Sequence, residues 1–149
     1  MGARGGRHKA REAAVQALYQ WQLTEQLPDE EQFILDHQLD GVDLEYFHHL
    51  VSEVPLHMHE LDDQLVPHLD REVGEVDPVE RAILRLGAYE LEFQPQVPYK
   101  VVLDEAVELA RTFGAEHGHK FVNAVLDKVA LKLRTDEVQA SGAASPSTL

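Results

Sequence analysis

The tetrapeptide Asp77-Pro78-Val79-Glu80 constrains the fold more than any other feature of the chain. Asp at an N-cap accepts from orphan backbone amides, Pro at the first helical position has no donor to lose, and Glu two residues on can reach back to the cap. Behind it, Ala82, Ile83, Leu84, Leu86, Ala88, Tyr89, Leu91 and Phe93 leave little of the circumference polar. A helix apolar all round must be central, so other helices have to surround it. The rest of the chain supplies them at a period of 3.6, and no strand alternation of useful length occurs. Helices are expected from Lys9 to about Thr24, Asp29 to Leu39, Leu44 to a break at Pro55, Leu56 to Leu69, Tyr99 to Phe113 and Glu116 to Leu133, with Gly114 as a left-handed C-cap. The prediction is an all-α domain, 1–134, of about seven helices in two packed helical subdomains, about 8–70 and 77–134. A frayed, disordered tail is expected over 135–149, where Ser, Gly, Ala and Pro dominate.

At 149 residues, 44% hydrophobic and 27% charged, the chain fits one globular domain. It has no cysteine, which excludes disulfides, thiolate metal sites and thiol nucleophiles. No apolar run approaches the roughly 20 residues of a membrane span, and the polar, basic start has no hydrophobic signal region, so a cytoplasmic location is the default expectation. The net charge of −14 is unevenly spread. Residues 1–11 carry +4 and no acid; residues 12–80 hold 18 acids against Arg71 alone; residues 81–149 come to −1. A basic N-terminal arm and a near-neutral second half can therefore meet a polyanion.

The last helix carries the most pointed geometry. At about 100° per residue its core face centres on Val122 and Val129, while Phe121 lies a quarter-turn away, in line with Lys128 and Lys132, and with His117 on the same stripe. A ring on the solvent-side flank beside ammonium groups suits single-stranded nucleic acid, whose bases stack on rings while cations track phosphates. The competing reading is a widened core stripe with solvated lysines. Tyr19 likewise sits off the stripe of Val15 and Leu18. If the first and last helices are neighbours, Arg4, Arg7, Lys9, Arg11, Tyr19, Lys120, Phe121 and Lys128 merge into one surface; the sequence does not supply that adjacency. Glu45-x-x-His48 and Glu116-x-x-His119 have the spacing of di-metal bundle ligands, but Glu45 projects about 160° from Phe47 and so away from the core, and no metal is expected. No serine-hydrolase elbow, P-loop, dinucleotide fingerprint or HExxH is present, and no enzymatic activity or cofactor is expected.

Four spaced segments together resemble the NusB family of bacterial antitermination factors: HKAREAAVQALYQWQ at 8–22, VERAILRLGAYEL at 79–91, VPYKVVLDEAVELA at 97–110, and FGAE at 113–116 followed by HKFVNAVLDK at 119–128. The likeness runs from about His8 to Arg134. It implies an all-helical NusB-like fold without catalysis, pairing with the small-subunit ribosomal protein NusE to bind the single-stranded boxA element of nascent ribosomal RNA, in a complex with NusA, NusG and RNA polymerase that resists early termination. It also implies RNA-facing roles for Arg4, Arg7, His8, Lys9, Arg11, Tyr19, His117, Lys120, Phe121 and Lys128, and a partner-facing role for Glu80. Two positions depart from the family pattern. Arg7-His8-Lys9 stands where three arginines are frequent, which weakens phosphate contact or makes it pH-dependent through His8. His117 stands where close relatives often carry Asp, and losing that anion favours RNA. A helical protein-interaction module without RNA binding of its own is the alternative, and homodimerisation of the RNA-free chain is left open.

Overall fold

The computed structural model describes residues 3–142, with side chains from Gly5 onward. Eight α-helices follow one another: α1 (Ala3–Thr24), α2 (Glu30–Asp36), α3 (Leu44–Leu56), α4 (Met58–Leu65), α5 (Pro78–Phe93), α6 (Tyr99–Phe113), α7 (Gly118–Leu133) and α8 (Thr135–Ser141). Single 3₁₀ turns at Val66–His68 and Val73–Glu75 lie between α4 and α5, and the described residues contain no strand.

Helix α5 begins as its sequence dictates. The Asp77 carboxylate accepts from the backbone N–H of Val79 at 2.9 Å and of Glu80 at 3.2 Å, satisfying two orphan donors, and Pro78 takes the first helical position. Every residue from Ala82 to Leu91 is buried. The helix packs against α1, α3 and α4 from the first half of the chain and against α6 and α7 from the second. Closest approach is at Gly87, where a Cβ would stand 2.6 Å from Cδ1 of Leu126 on α7. The buried residues form one contiguous cluster running from Ala10 to Val138, so the expected division into two halves does not appear as two separate cores.

The C-terminal expectation is corrected. Thr135–Ser141 is helical, and Val138 is buried against the core. Arg134, just before it, donates from Nε to the carbonyl of Leu91 at 2.8 Å and from Nη2 to those of Glu90 and Gln94 at 3.2 and 3.1 Å. The Glu90 and Gln94 carbonyls also accept from the backbone N–H groups of Gln94 and Val97, so the guanidinium adds to that pairing and reaches the Leu91 carbonyl as well, bracing the C-terminal end of α5. Glu137 in turn accepts from the backbone N–H of Tyr99 at 2.9 Å, which caps α6 where Pro98 has no side-chain acceptor to offer. Residues 143–149 of the expected tail lie outside the described residues.

Gly114 is not left-handed. Its φ is −88° and ψ 176°, an extended conformation. Glycine is needed there for space, since a Cβ would meet the carbonyl oxygen of Ala110 at 2.7 Å. The left-handed residue in this connection is His117, at φ 71°, and α7 starts after it rather than at Glu116. Asn, Asp and His are among the side chains that tolerate this region best. Among the described residues no helix is long and apolar enough to cross a membrane.

Candidate nucleic-acid interface

The basic arm is the N-terminal part of α1, which starts six residues earlier than the sequence pattern indicated. Arg4 lies in its first turn, and its side chain lies outside the described ones. The other arm residues divide by how they are engaged. Lys9 is exposed. Arg7 lies over the Tyr46 ring, 4.4 Å from its centroid, and 3.8 Å from the Asp43 carboxylate, with 40% of its side chain still exposed. His8 bonds through Nδ1 to Glu105 at 2.7 Å and lies 3.3 Å from Glu12.

Arg11 is corrected outright. It is 4% exposed, and its Nε donates to both carboxylate oxygens of Glu90 at 2.9 and 3.2 Å. The Tyr46 hydroxyl donates to the same carboxylate. This buried ion pair with a phenol joins α1, α3 and α5 and removes Arg11 from the surface strip. Burial pushes the Glu90 carboxyl above the ordinary carboxylate range, and Arg11 opposes that push.

The hydrogen bond from Glu105, with the nearby charges of Glu105 and Glu12, raises His8 above its ordinary value of 6.5 against the opposing effect of burial. A raised folded-state value means that His8 stabilises the fold fully below the ordinary value and loses that contribution as pH rises through the folded one. An NMR titration of the His8 imidazole is therefore expected to show a midpoint above 6.5 that returns toward 6.5 in Glu105→Gln. A midpoint unmoved by that substitution would contradict the pairing.

The second cluster lies on α7. Phe121 is half-buried, packed on the core along one edge. Lys120, Lys128 and Lys132 are exposed, as is His117 at the helix start. The guanidinium of Arg71, from the connection between α4 and α5, lies over the Phe121 ring at 4.7 Å from its centroid. Glu80, expected at a partner-facing surface, is instead only 7% exposed. Its Oε2 fills the place where a Cβ at Gly118 would be, 2.3 Å away. Burial, and secondarily Asp77, push the Glu80 carboxyl above its usual range, and Arg71 opposes that push.

Tyr19 is 38% exposed and lines a groove of about 430 Å³ walled by Val15, Leu23, Phe33, Val79 and Phe113, with the amides of Gln16 and Gln20 also in its lining. Two links connect this groove to the α7 cluster. Val79 precedes Glu80, which underlies Gly118, and Phe113 ends α6 immediately before the connection carrying His117. Helices α1 and α7 both pack on α5. The Tyr19 groove and the start of α7 thus both border the first turn of α5, through Val79 and through Glu80 beneath Gly118, whereas Arg11 is buried away from the surface. Arg71 and the buried seat of Glu80 escape sequence reasoning. The one available signal is that Arg71 is the single base in an acidic stretch of 69 residues.

The arrangement offers rings for stacking and cations for phosphates, and it lacks a converged catalytic set. His48 bonds Glu30 at 2.8 Å, and among the described residues no group of three His, Cys, Asp or Glu is placed to hold a metal ion.

Known proteins carry the same architecture. A protein from Nitrosococcus oceani named transcription antitermination protein NusB is 56% identical over 133 residues, covering 88% of this chain and 89% of that one. Its namesake from Shewanella sediminis is 50% identical, covering 83% and 93%. Among solved structures, one of the antitermination factors NusB and NusE in complex with double-stranded RNA superposes with a TM-score of 0.74 at 31% identity, covering 82% of this chain and 93% of that one. The NusB of T. maritima superposes at 0.72 with 30% identity, covering 83% and 89%. The profile described as the NusB family matches residues 8–131, nearly the whole described fold, and the chain belongs to that family.

Proposed function

We propose that this chain is a transcription antitermination factor that pairs with NusE, binds the single-stranded boxA element of nascent ribosomal RNA, and helps RNA polymerase, together with NusA and NusG, to resist early termination. The observation that carries the reading is the half-buried Phe121 ring with exposed cations along α7. A ring fixed along one edge by the core loses little freedom when a base stacks on it, and stacking contributes about 1–3 kcal/mol per base. Lys120, Lys128 and Lys9 serve as phosphate contacts. The role is assembly, in which two proteins form one track for the RNA. The acidic stretch 12–80 provides a field complementary to a basic ribosomal protein.

Fluorescence titration of boxA RNA, with this chain alone, NusE alone and the two together, tests the reading. The complex is expected to bind more tightly than either component. Affinity of the complex no better than that of NusE alone would leave the chain as a protein-interaction module.

Gly118 supplies a sharper expectation. A serine there displaces the Glu80 carboxylate, whose far end is the atom in the way, and pushes an ionised group toward the strip. Bringing a carboxylate closer to bound phosphates at a screened surface costs up to about 1 kcal/mol, so Gly118→Ser is expected to weaken boxA binding by up to about five-fold. Adding Glu80→Gln should restore it. Unchanged affinity in Gly118→Ser would show that the buried seat of Glu80 has no bearing on the RNA.

A further inference from the structure

The outer face of Phe121 is not bare. Arg71 lies over it in the connection between the two 3₁₀ turns. Its Nε donates to Asp70 Oδ1 at 2.6 Å, the Glu80 and Glu75 charges also act on it, and the residue is exposed. That pairing directs one edge of the fork at the carboxylate and leaves the Nη groups on the other edge. The same connection borders α7 further along. The Val66–His68 turn packs on that helix, and burial together with the Lys128 and Lys132 charges pushes His68 below its ordinary value. Phe121, Lys128 and Lys132 fall on one line of α7, at seven and eleven residues' separation, so this line is flanked on one side by the 66–75 segment.

A base approaching Phe121 from solvent meets the Arg71 plane first. Two outcomes are physically distinct. The guanidinium either swings away and exposes the ring, or stays and presents its own planar face. The second is favoured by the chemistry of the group, because a weakly hydrated guanidinium near an aromatic face keeps that contact in preference to water, and its planar shape suits a base. Bases stack on arginine planes as they do on rings. A lysine at this position would keep the charge and lose the plane.

We propose that Arg71 is an RNA-binding residue: held on Phe121 and tied by Asp70, it forms the outer layer of a stacking platform on which one base of a single-stranded RNA lies, with its Nη groups on an adjacent phosphate. The proposal rests on the RNA-binding reading given above and adds to it a residue from outside the α1 and α7 elements. It also makes the 66–75 connection one wall of the RNA track.

The test is titration of boxA RNA with the complex of this chain and NusE over a series of salt concentrations, using wild type, Arg71→Ala, Arg71→Lys and Phe121→Ala. Arg71 is exposed, and its contacts with Asp70 and the Phe121 ring are surface ones, so its alanine variant is expected to keep a thermal midpoint close to wild type. Arg71→Ala should weaken binding about five- to thirty-fold and reduce the slope of log affinity against log salt by about 0.7, the loss of one phosphate contact on a single strand. Arg71→Lys should retain the slope and still bind several-fold more weakly. Binding by Arg71→Ala that is unchanged or tighter, with Phe121→Ala weakened, would overturn the proposal and leave the RNA reading standing. No loss in either variant would remove both.

Discussion

Arg11→Met is expected to lower the free energy of unfolding by about 3–5 kcal/mol at neutral pH, because it strands the Glu90 carboxylate in the core. Glu90 is 1% exposed, and its two charge-relevant partners are Arg11 and the Tyr46 hydroxyl. With the guanidinium gone, burial acts on the carboxyl almost unopposed and lifts its folded-state value further above the unfolded one. The sign of the pH dependence follows. A carboxyl raised in the folded state is tolerated where it is protonated and costs stability as pH rises through its folded value. The deficit of Arg11→Met should accordingly be smaller at pH 5 than at pH 8, and chemical denaturation at the two values measures it. The double variant Arg11→Met with Glu90→Leu removes both charges and should recover most of the loss. It also separates stability from RNA contact. Arg11 is sequestered, so the double variant should bind boxA RNA with the wild-type salt slope; a slope reduced by one phosphate contact would mean that Arg11 reaches the RNA after all.

The second large effect is on binding. Phe121→Ala is expected to weaken boxA binding by the complex with NusE about five- to 150-fold, the equivalent of about 1–3 kcal/mol for one stacking platform. Because one edge of the ring packs on the core, the substitution also leaves a small cavity. Thermal unfolding of the variant distinguishes the two consequences, and Phe121→Tyr provides the control, since it keeps both the ring and the buried edge. Near wild-type binding by Phe121→Tyr with weak binding by Phe121→Ala supports stacking. Equal weakening in both, or none in either, contradicts it.

What the sequence made legible was local. The start of α5 was readable because its cap, its proline and its apolar circumference all lie within seventeen residues, and the hydrogen bonds from Val79 and Glu80 to Asp77 match that reading. The flank position of Phe121 was readable for the same reason: helical phase is a local property, and the ring is half-buried where phase puts it. Charge pairing was not readable. Arg11 meets an acid 79 residues away and His8 one 97 residues away, and no local pattern marks either partner. A run of cations therefore looked like a free arm, whereas its middle is stitched into α3, α5 and α6. Helix α8 was hidden by composition. Small residues around Val138 suggested fraying, but Arg134 and Glu137 act as caps for α5 and α6, a demand visible only once those helix ends are brought together. At Gly114, the glycine is required by the nearby Ala110 carbonyl rather than by a positive φ, and sequence alone cannot separate those two reasons.

The proposed RNA path runs over Tyr19 and along the outer line of α7. Photo-crosslinking of boxA RNA carrying 4-thiouridine to the complex with NusE, followed by peptide mapping, reads that path directly. Crosslinks to peptides containing Tyr19 and Phe121 are expected. Crosslinks confined to the acidic segments of α2 and α3, or to NusE alone, would contradict the account.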